Sequence, residues 1–378
     1  MIMKLKKYIY GVAMGAISLA CVSCYNSDRD FADYEEGTTA YFAYQFPVRT
    51  LILGNDIYDN TLDNEYKCRI WATMGGAYGG RDAVADIEID ESLCNNLWFL
   101  NEFGQPSQPV TPLKREYYDL LDQTIPYNGG DRGYVEVQFK KEFFDDEKSV
   151  ENYYVIPLIM RKVTGIDHIL TGTPLRGNPS RTDVDEWKVL AKDYVLYCVK
   201  YMNPWQARYI RRGIDKVTEN GVALDPDVRK DVSLINTDLE HYTENPVNQK
   251  DEVCGITTKN MTQCIFTPSF KTTGASVECN LILTFDKNTN KCTISTEDEG
   301  VTAEGEGEFI VKGTDSEEYK DYRWGSMNQQ PVSRDILRLS YKVNFTDKNI
   351  QVETKDTMVV QTRESNKREF FDHKYIKE

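Results

Sequence analysis

Asp335-Ile-Leu-Arg-Leu-Ser-Tyr-Lys-Val-Asn-Phe-Thr346 is the stretch on which the fold turns. In an extended chain Leu337, Leu339, Tyr341, Val343 and Phe345 fall on one face, and Arg338, Ser340, Lys342 and Asn344 on the other. This is the period-two pattern of a strand with one wet face. Residues 194–201, 205–211, 280–285, 291–295 and 356–362 read as further strands, and Asp286-Lys-Asn-Thr-Asn290 is a polar hairpin loop between two of them. The run amounts to about eight strands with hairpin-length connections. Closing it into an up-and-down barrel removes the exposed edges. Residues 191–363 are therefore expected to form a lipocalin-like β-barrel, with an open sandwich as the alternative.

The first half follows the same all-β logic. Ala85-Asp-Ile-Glu-Ile-Asp90 alternates apolar and acidic, and Tyr134-Val-Glu-Val-Gln-Phe139 points Val135, Val137 and Phe139 inward. Tyr153-Tyr-Val-Ile-Pro-Leu-Ile-Met160 is continuously apolar, with Pro157 suggesting an edge or a bulge, and residues 113–121 suggest one short helix. Strands bounded by Gly/Pro turns over 39–163 predict an immunoglobulin-like β-sandwich. The Gly- and Pro-rich stretch 164–190 reads as a linker, and the charged residues 364–378 as a frayed tail.

Residues 1–23 carry Lys4, Lys6 and Lys7, then an apolar small-residue run, then Ser23 before Cys24. That order is expected of a lipoprotein signal peptide, with Cys24 as the lipidated residue. The apolar run is shorter than the ~20 residues a membrane span requires. Residues 24–38, acidic and polar, read as a tether. The expected location is the outer membrane, facing the cell surface, with the lipid as the only membrane contact.

The formal charge is −15, and the loss of three signal lysines makes it −18. Such a surface repels nucleic acid. Seven cysteines remain after Cys21 and Cys24, an odd number without zinc or redox spacing, so most are expected as small buried residues with room for one bridge in the C-terminal half. The three histidines, His168, His241 and His373, lie far apart in sequence. No metal or cofactor is expected, and no catalytic residue: the acidic clusters at 86–91, 145–147 and 297–299 read as solvated faces. Gly75-Gly-Ala-Tyr-Gly-Gly80 reads as a flexible loop.

A binding role rests on aromatics, of which Tyr contributes 24 and Trp five. A sugar presents a C–H face that packs on an aromatic plane. Tyr322, Arg323 and Trp324 lie between two barrel strands and are the leading candidates, at a barrel mouth. Trp71, Tyr78 and Trp98 in the first domain follow. Trp71, Trp98 and Trp205 read more readily as core.

Thr39-Thr-Ala-Tyr-Phe-Ala-Tyr-Gln-Phe-Pro-Val-Arg-Thr50, Tyr153-Tyr-Val-Ile-Pro-Leu158, Asp193-Tyr-Val-Leu-Tyr-Cys-Val-Lys-Tyr201 and Arg334-Asp-Ile-Leu-Arg-Leu-Ser-Tyr341 together resemble the two-domain surface lipoproteins of gut Bacteroidetes that accompany starch-utilisation-type transporters. The resemblance implies an immunoglobulin-like domain followed by a lipocalin-like one. It also implies a polysaccharide or oligosaccharide ligand and an outer-membrane glycan transporter as partner. Trp205 resembles the tryptophan that plugs one end of lipocalin barrels. The expected function is non-catalytic glycan capture. The alternatives are an adhesion or scaffold lipoprotein contacting a protein, and a carrier of a small apolar ligand.

Overall fold

A computed structural model describes residues 36–229, 252–318, 333–365 and 367–377, with the backbone of 324–325 and 331–332. The principal strands of the first domain are β1 (Thr39–Tyr41), β2 (Pro47–Ile52), β3 (Lys67–Gly75), β4 (Val84–Ile89), β5 (Tyr118–Leu120), β6 (Thr124–Pro126), β7 (Arg132–Phe139), β8 (Tyr154–Thr164) and β9 (Tyr194–Met202). One sheet runs β1-β3-β7-β5, with His168–Ile169 parallel to β1 at its edge; the other runs β2-β9-β8-β4-β6. Alternation on β3 and β7 sends Ile70, Ala72, Val135, Val137 and Phe139 inward against Ile156, Leu158 and Met160 of β8, the core of a β-sandwich.

β8 is apolar on both faces because both are covered. Val155 and Ile159 enter a second cluster with Leu97, Phe99, Leu196, Cys198 and Phe371. Pro157 therefore lies inside the sheet rather than at an edge. Its carbonyl accepts from the Asp90 N–H at 3.0 Å, and its missing N–H falls just past the Leu158–Ile89 pair, where β4 ends. The bulge comes later, between Met160 and Lys162. The helix expected over 113–121 is a single 3-10 turn, Arg115–Tyr117, that runs straight into β5.

Three boundaries differ from the sequence reading. Residues 164–190 are folded into the first domain: besides His168–Ile169, Thr173–Pro174 pairs with Trp187–Val189, and Arg181 forks onto buried Asp193 at 2.9 and 3.0 Å. β9, expected in the barrel, pairs with β8 and runs parallel to β2. Its buried faces need a neighbour on each side, which the sandwich supplies. The expected tail is also ordered. Glu369–Phe370 joins the edge of β2, His373–Tyr375 pairs with Leu97–Leu100, and Phe371 is buried. Asp372 and Lys374 alternate outward, so the segment's charge hid a strand with one apolar face.

The second domain contains β10 (Ala207–Glu219), β11 (Glu252–Thr258), β12 (Gln263–Phe266), β13 (Leu281–Phe285), β14 (Lys291–Thr296), β15 (Val301–Ile310), β16 (Ile336–Phe345) and β17 (Ile350–Thr362). They pair in sequence order, and β17 returns to β10, closing an eight-stranded up-and-down barrel. Leu337, Leu339, Tyr341, Val343 and Phe345 point inside, as their alternation requires. Opposite them β15 turns Gly305 inward, where a Cβ would come within 2.5 Å of the Tyr341 Cβ. Trp205 is 1% exposed and stacks on Phe285 at 4.2 Å, packed into the barrel core.

Arg363 joins the two domains. Its guanidinium donates to the carbonyls of Leu53 (2.9 Å) and Asn55 (2.9 Å) in the first domain, Asn203 (2.6 Å) at the junction and Gln206 (3.2 Å) at the barrel entrance.

Candidate functional site

The outer face of the first sheet is the best-formed candidate surface. β3 and β7 pair so that Trp71 faces Tyr134, Arg69 faces Glu136, and Thr73 faces Arg132. The side chains that alternate out of the core at these positions form one continuous patch. Trp71 is 46% exposed, and its ring lies 4.7 Å from that of Tyr134, tilted by 53°. The Arg69 guanidinium sits 4.3 Å from the Tyr134 ring centre and that of Arg132 sits 5.4 Å from the Trp71 ring centre. Arg69 is also held by Glu136, through Nε at 2.9 Å and Nη2 at 2.8 Å. The Glu136 contact holds the Arg69 guanidinium above its usual range. Two rings are thus presented to solvent on a rigid sheet with polar groups at their margin.

Trp71, a secondary candidate for which core packing is the favoured reading, is instead exposed. The register that buries Ile70 and Ala72 necessarily turns Trp71 outward. The outward position of Trp71 is legible from the alternation of Cys68, Ile70, Ala72 and Met74 alone. Tyr78 is 73% exposed in the glycine loop that leaves the end of β3. Trp98 lies apart, half-buried on a strand paired on both sides, opposite Pro109 and Lys374. Tyr322 and Arg323 lie outside the described residues, as does Cys24; the Trp324–Gly325 backbone pairs with Pro331–Val332 in a hairpin between β15 and β16.

The barrel interior holds a feature that sequence reading missed. Arg211, fully buried, donates from Nε to Asp356 Oδ2 at 2.9 Å and from Nη2 to the Tyr341 hydroxyl at 3.2 Å. Arg229 donates to Asp356 Oδ1 at 2.9 Å and forks onto Asp215, which also accepts from the Thr354 hydroxyl at 2.8 Å. Glu252, partly exposed, takes Arg211 Nη1 at 2.8 Å. Burial pulls against the charge of the Arg211 guanidinium, but Tyr341 and the carboxylates of Asp356, Glu252 and Asp215 together hold it well above its usual range. Asp215 and Asp356 sit at inward positions of their strands, and that spacing was the available signal.

Acidic clusters elsewhere are paired at the surface: Glu88 and Asp90 with Arg161, Asp145 with Lys141, Glu297 with Lys259. Among the described residues no three His, Cys, Asp or Glu stand where they could hold a metal ion.

A β-sandwich joined to a closed eight-stranded barrel defines a two-domain, all-β protein. Residues 204–364 match the domain of unknown function DUF5627, and residues 34–167 match a family of N-terminal domains. A crystal structure of a protein of unknown function from Bacteroides ovatus is 36% identical, covers 91% of this chain and 100% of its own, and superimposes with a TM-score of 0.77. The chain belongs to the family of that Bacteroides ovatus protein. No curated protein matches it.

Proposed function

We propose that this protein is a lipid-anchored, non-catalytic glycan-binding protein of the outer membrane that captures polysaccharide at the cell surface for a neighbouring transporter. The observation that carries the reading is the pairing of exposed Trp71 with half-buried Tyr134, flanked by Arg69, Arg132 and Glu136. Aromatic planes accept the C–H face of a pyranose, and charged groups beside them grip its hydroxyls. The lipid on Cys24 would hold this surface at the membrane. The carrier alternative has less support, because the Arg211–Asp356–Arg229–Asp215 cluster stands where an apolar ligand would need an apolar lining.

The test is retention of the purified protein on a panel of plant, host and microbial polysaccharides. Trp71→Ala should abolish retention, while Phe103→Ser, which removes an exposed ring elsewhere on the same domain, should not. Loss in Trp324→Ala with Trp71→Ala unaffected would move the site to the barrel hairpin. Absence of binding by correctly folded protein would leave the scaffold reading, to be pursued by partner capture. Acyl labelling that disappears in Cys24→Ala tests the anchor.

A further inference from the structure

Resting on the glycan reading, we infer that the platform's ligand is an anionic glycan, with a carboxylate or sulfate on a sugar packed against Trp71 received by Arg132. Five other described arginines of the sandwich are held by carboxylates. Arg69 is taken by Glu136, Arg115 by Glu91, Arg161 by Glu88 and Asp90, Arg176 by Glu186 and Arg181 by Asp193. Arg132 differs. It is exposed, its guanidinium lies over the Trp71 ring, and among the described residues no carboxylate lies within ion-pair distance of it. In a chain with 60 acidic against 45 basic side chains, a guanidinium left without a carboxylate beside an exposed indole is a vacant anion receptor.

The register fixes where that receptor stands. Arg132 is opposite Thr73, one outward position along from the Trp71–Tyr134 pair. Its donors therefore reach the margin of a ring stacked on the indole, where a C6 carboxylate or a sulfate ester projects. The planar fork of an arginine fits a carboxylate through two parallel hydrogen bonds, and a sulfate through the same donors. The overall negative charge repels polyanions at long range, so the contact acts only at close quarters and selects by geometry.

The experiment titrates the purified protein with two matched pairs: oligogalacturonate against its carboxyl-reduced form, and a sulfated galactan oligosaccharide against its desulfated form. The anionic member of one pair should bind about tenfold tighter or more than its neutral partner, and which pair shows the difference identifies the anion. Arg132→Gln should remove the difference within the pair, and Arg132→Lys should restore only part of it. Equal affinity within both pairs, or a preference unchanged in Arg132→Gln, overturns the inference. If neutral binding then still depends on Trp71, the glycan reading stands without it. Failure to bind any of the four overturns the inference, and the broad panel above then decides the glycan reading separately.

Discussion

Arg211 and Asp356 meet inside the barrel, both fully buried, with Nε 2.9 Å from Oδ2. Arg229 shares the same carboxylate from its other oxygen. Removing this carboxylate leaves two guanidinium groups facing each other with only Asp215 and the partly exposed Glu252 to balance them. Asp356→Ala should therefore destabilise the protein by about 3–5 kcal/mol, measured by denaturant unfolding. A loss well under that would mean that Asp215 and Glu252 suffice to balance both arginines.

Arg363 makes a second testable contact. Its carbonyl partners come from both domains and the junction, and no lysine can reach four carbonyls from one ammonium. Arg363→Lys should cost about 2–4 kcal/mol and split the calorimetric unfolding transition in two. One unchanged, cooperative transition would show that the remaining interface couples the domains without it.

His373 stacks on Phe46 at 3.6 Å and borders Phe371, and burial holds its imidazole below the usual range, against a smaller opposing pull from Asp372. The unfolded segment takes up a proton more readily than the folded one. The stability of this packing is therefore complete above the ordinary value of about 6.5 and is lost as pH falls below it. Protection factors of the 369–375 amides, which divide out the intrinsic pH dependence of exchange, should be lower at about pH 5.5 than at about pH 7.5, and His373→Phe should flatten that dependence.

The described cysteines are all free thiols, and burial pushes each up to about 12. Native protein should react slowly with a thiol reagent, half-buried Cys254 first, and denatured protein should release all seven at once. Fewer than seven would reveal the bridge that the sequence left open.

The alternation of residues 337–345 specified both a strand and its inward face, because period-two patterning is a local property. The closed barrel followed from counting such strands. Membership of a sheet was less accessible. β9 is as apolar as any barrel strand, and nothing within residues 194–202 records that its neighbours are residues 154–159 and 48–52. Asp215 and Asp356 were hidden for a similar reason: each looks like a solvated acid until closure places it beside Arg211 and Arg229. Trp71 ranks low among the candidates although its pattern is present, because tryptophan is usually buried and its exposure follows only from the register that buries Ile70 and Ala72.

The return of residues 369–375 to the first domain ties completion of that domain to the last part of the chain. Phe46 and Phe371 are neighbours in space, with an entire barrel between them in sequence. During synthesis or export the sandwich would wait, with the edge of β2 open to pairing, until the C-terminus arrives. The barrel closes once β17 reaches β10, before residues 369–375 are available, and its other strands pair with their sequence neighbours, so it is placed to fold first and deliver the closing strand. Fragments ending near residue 203 would stay in the waiting state and self-associate through that edge.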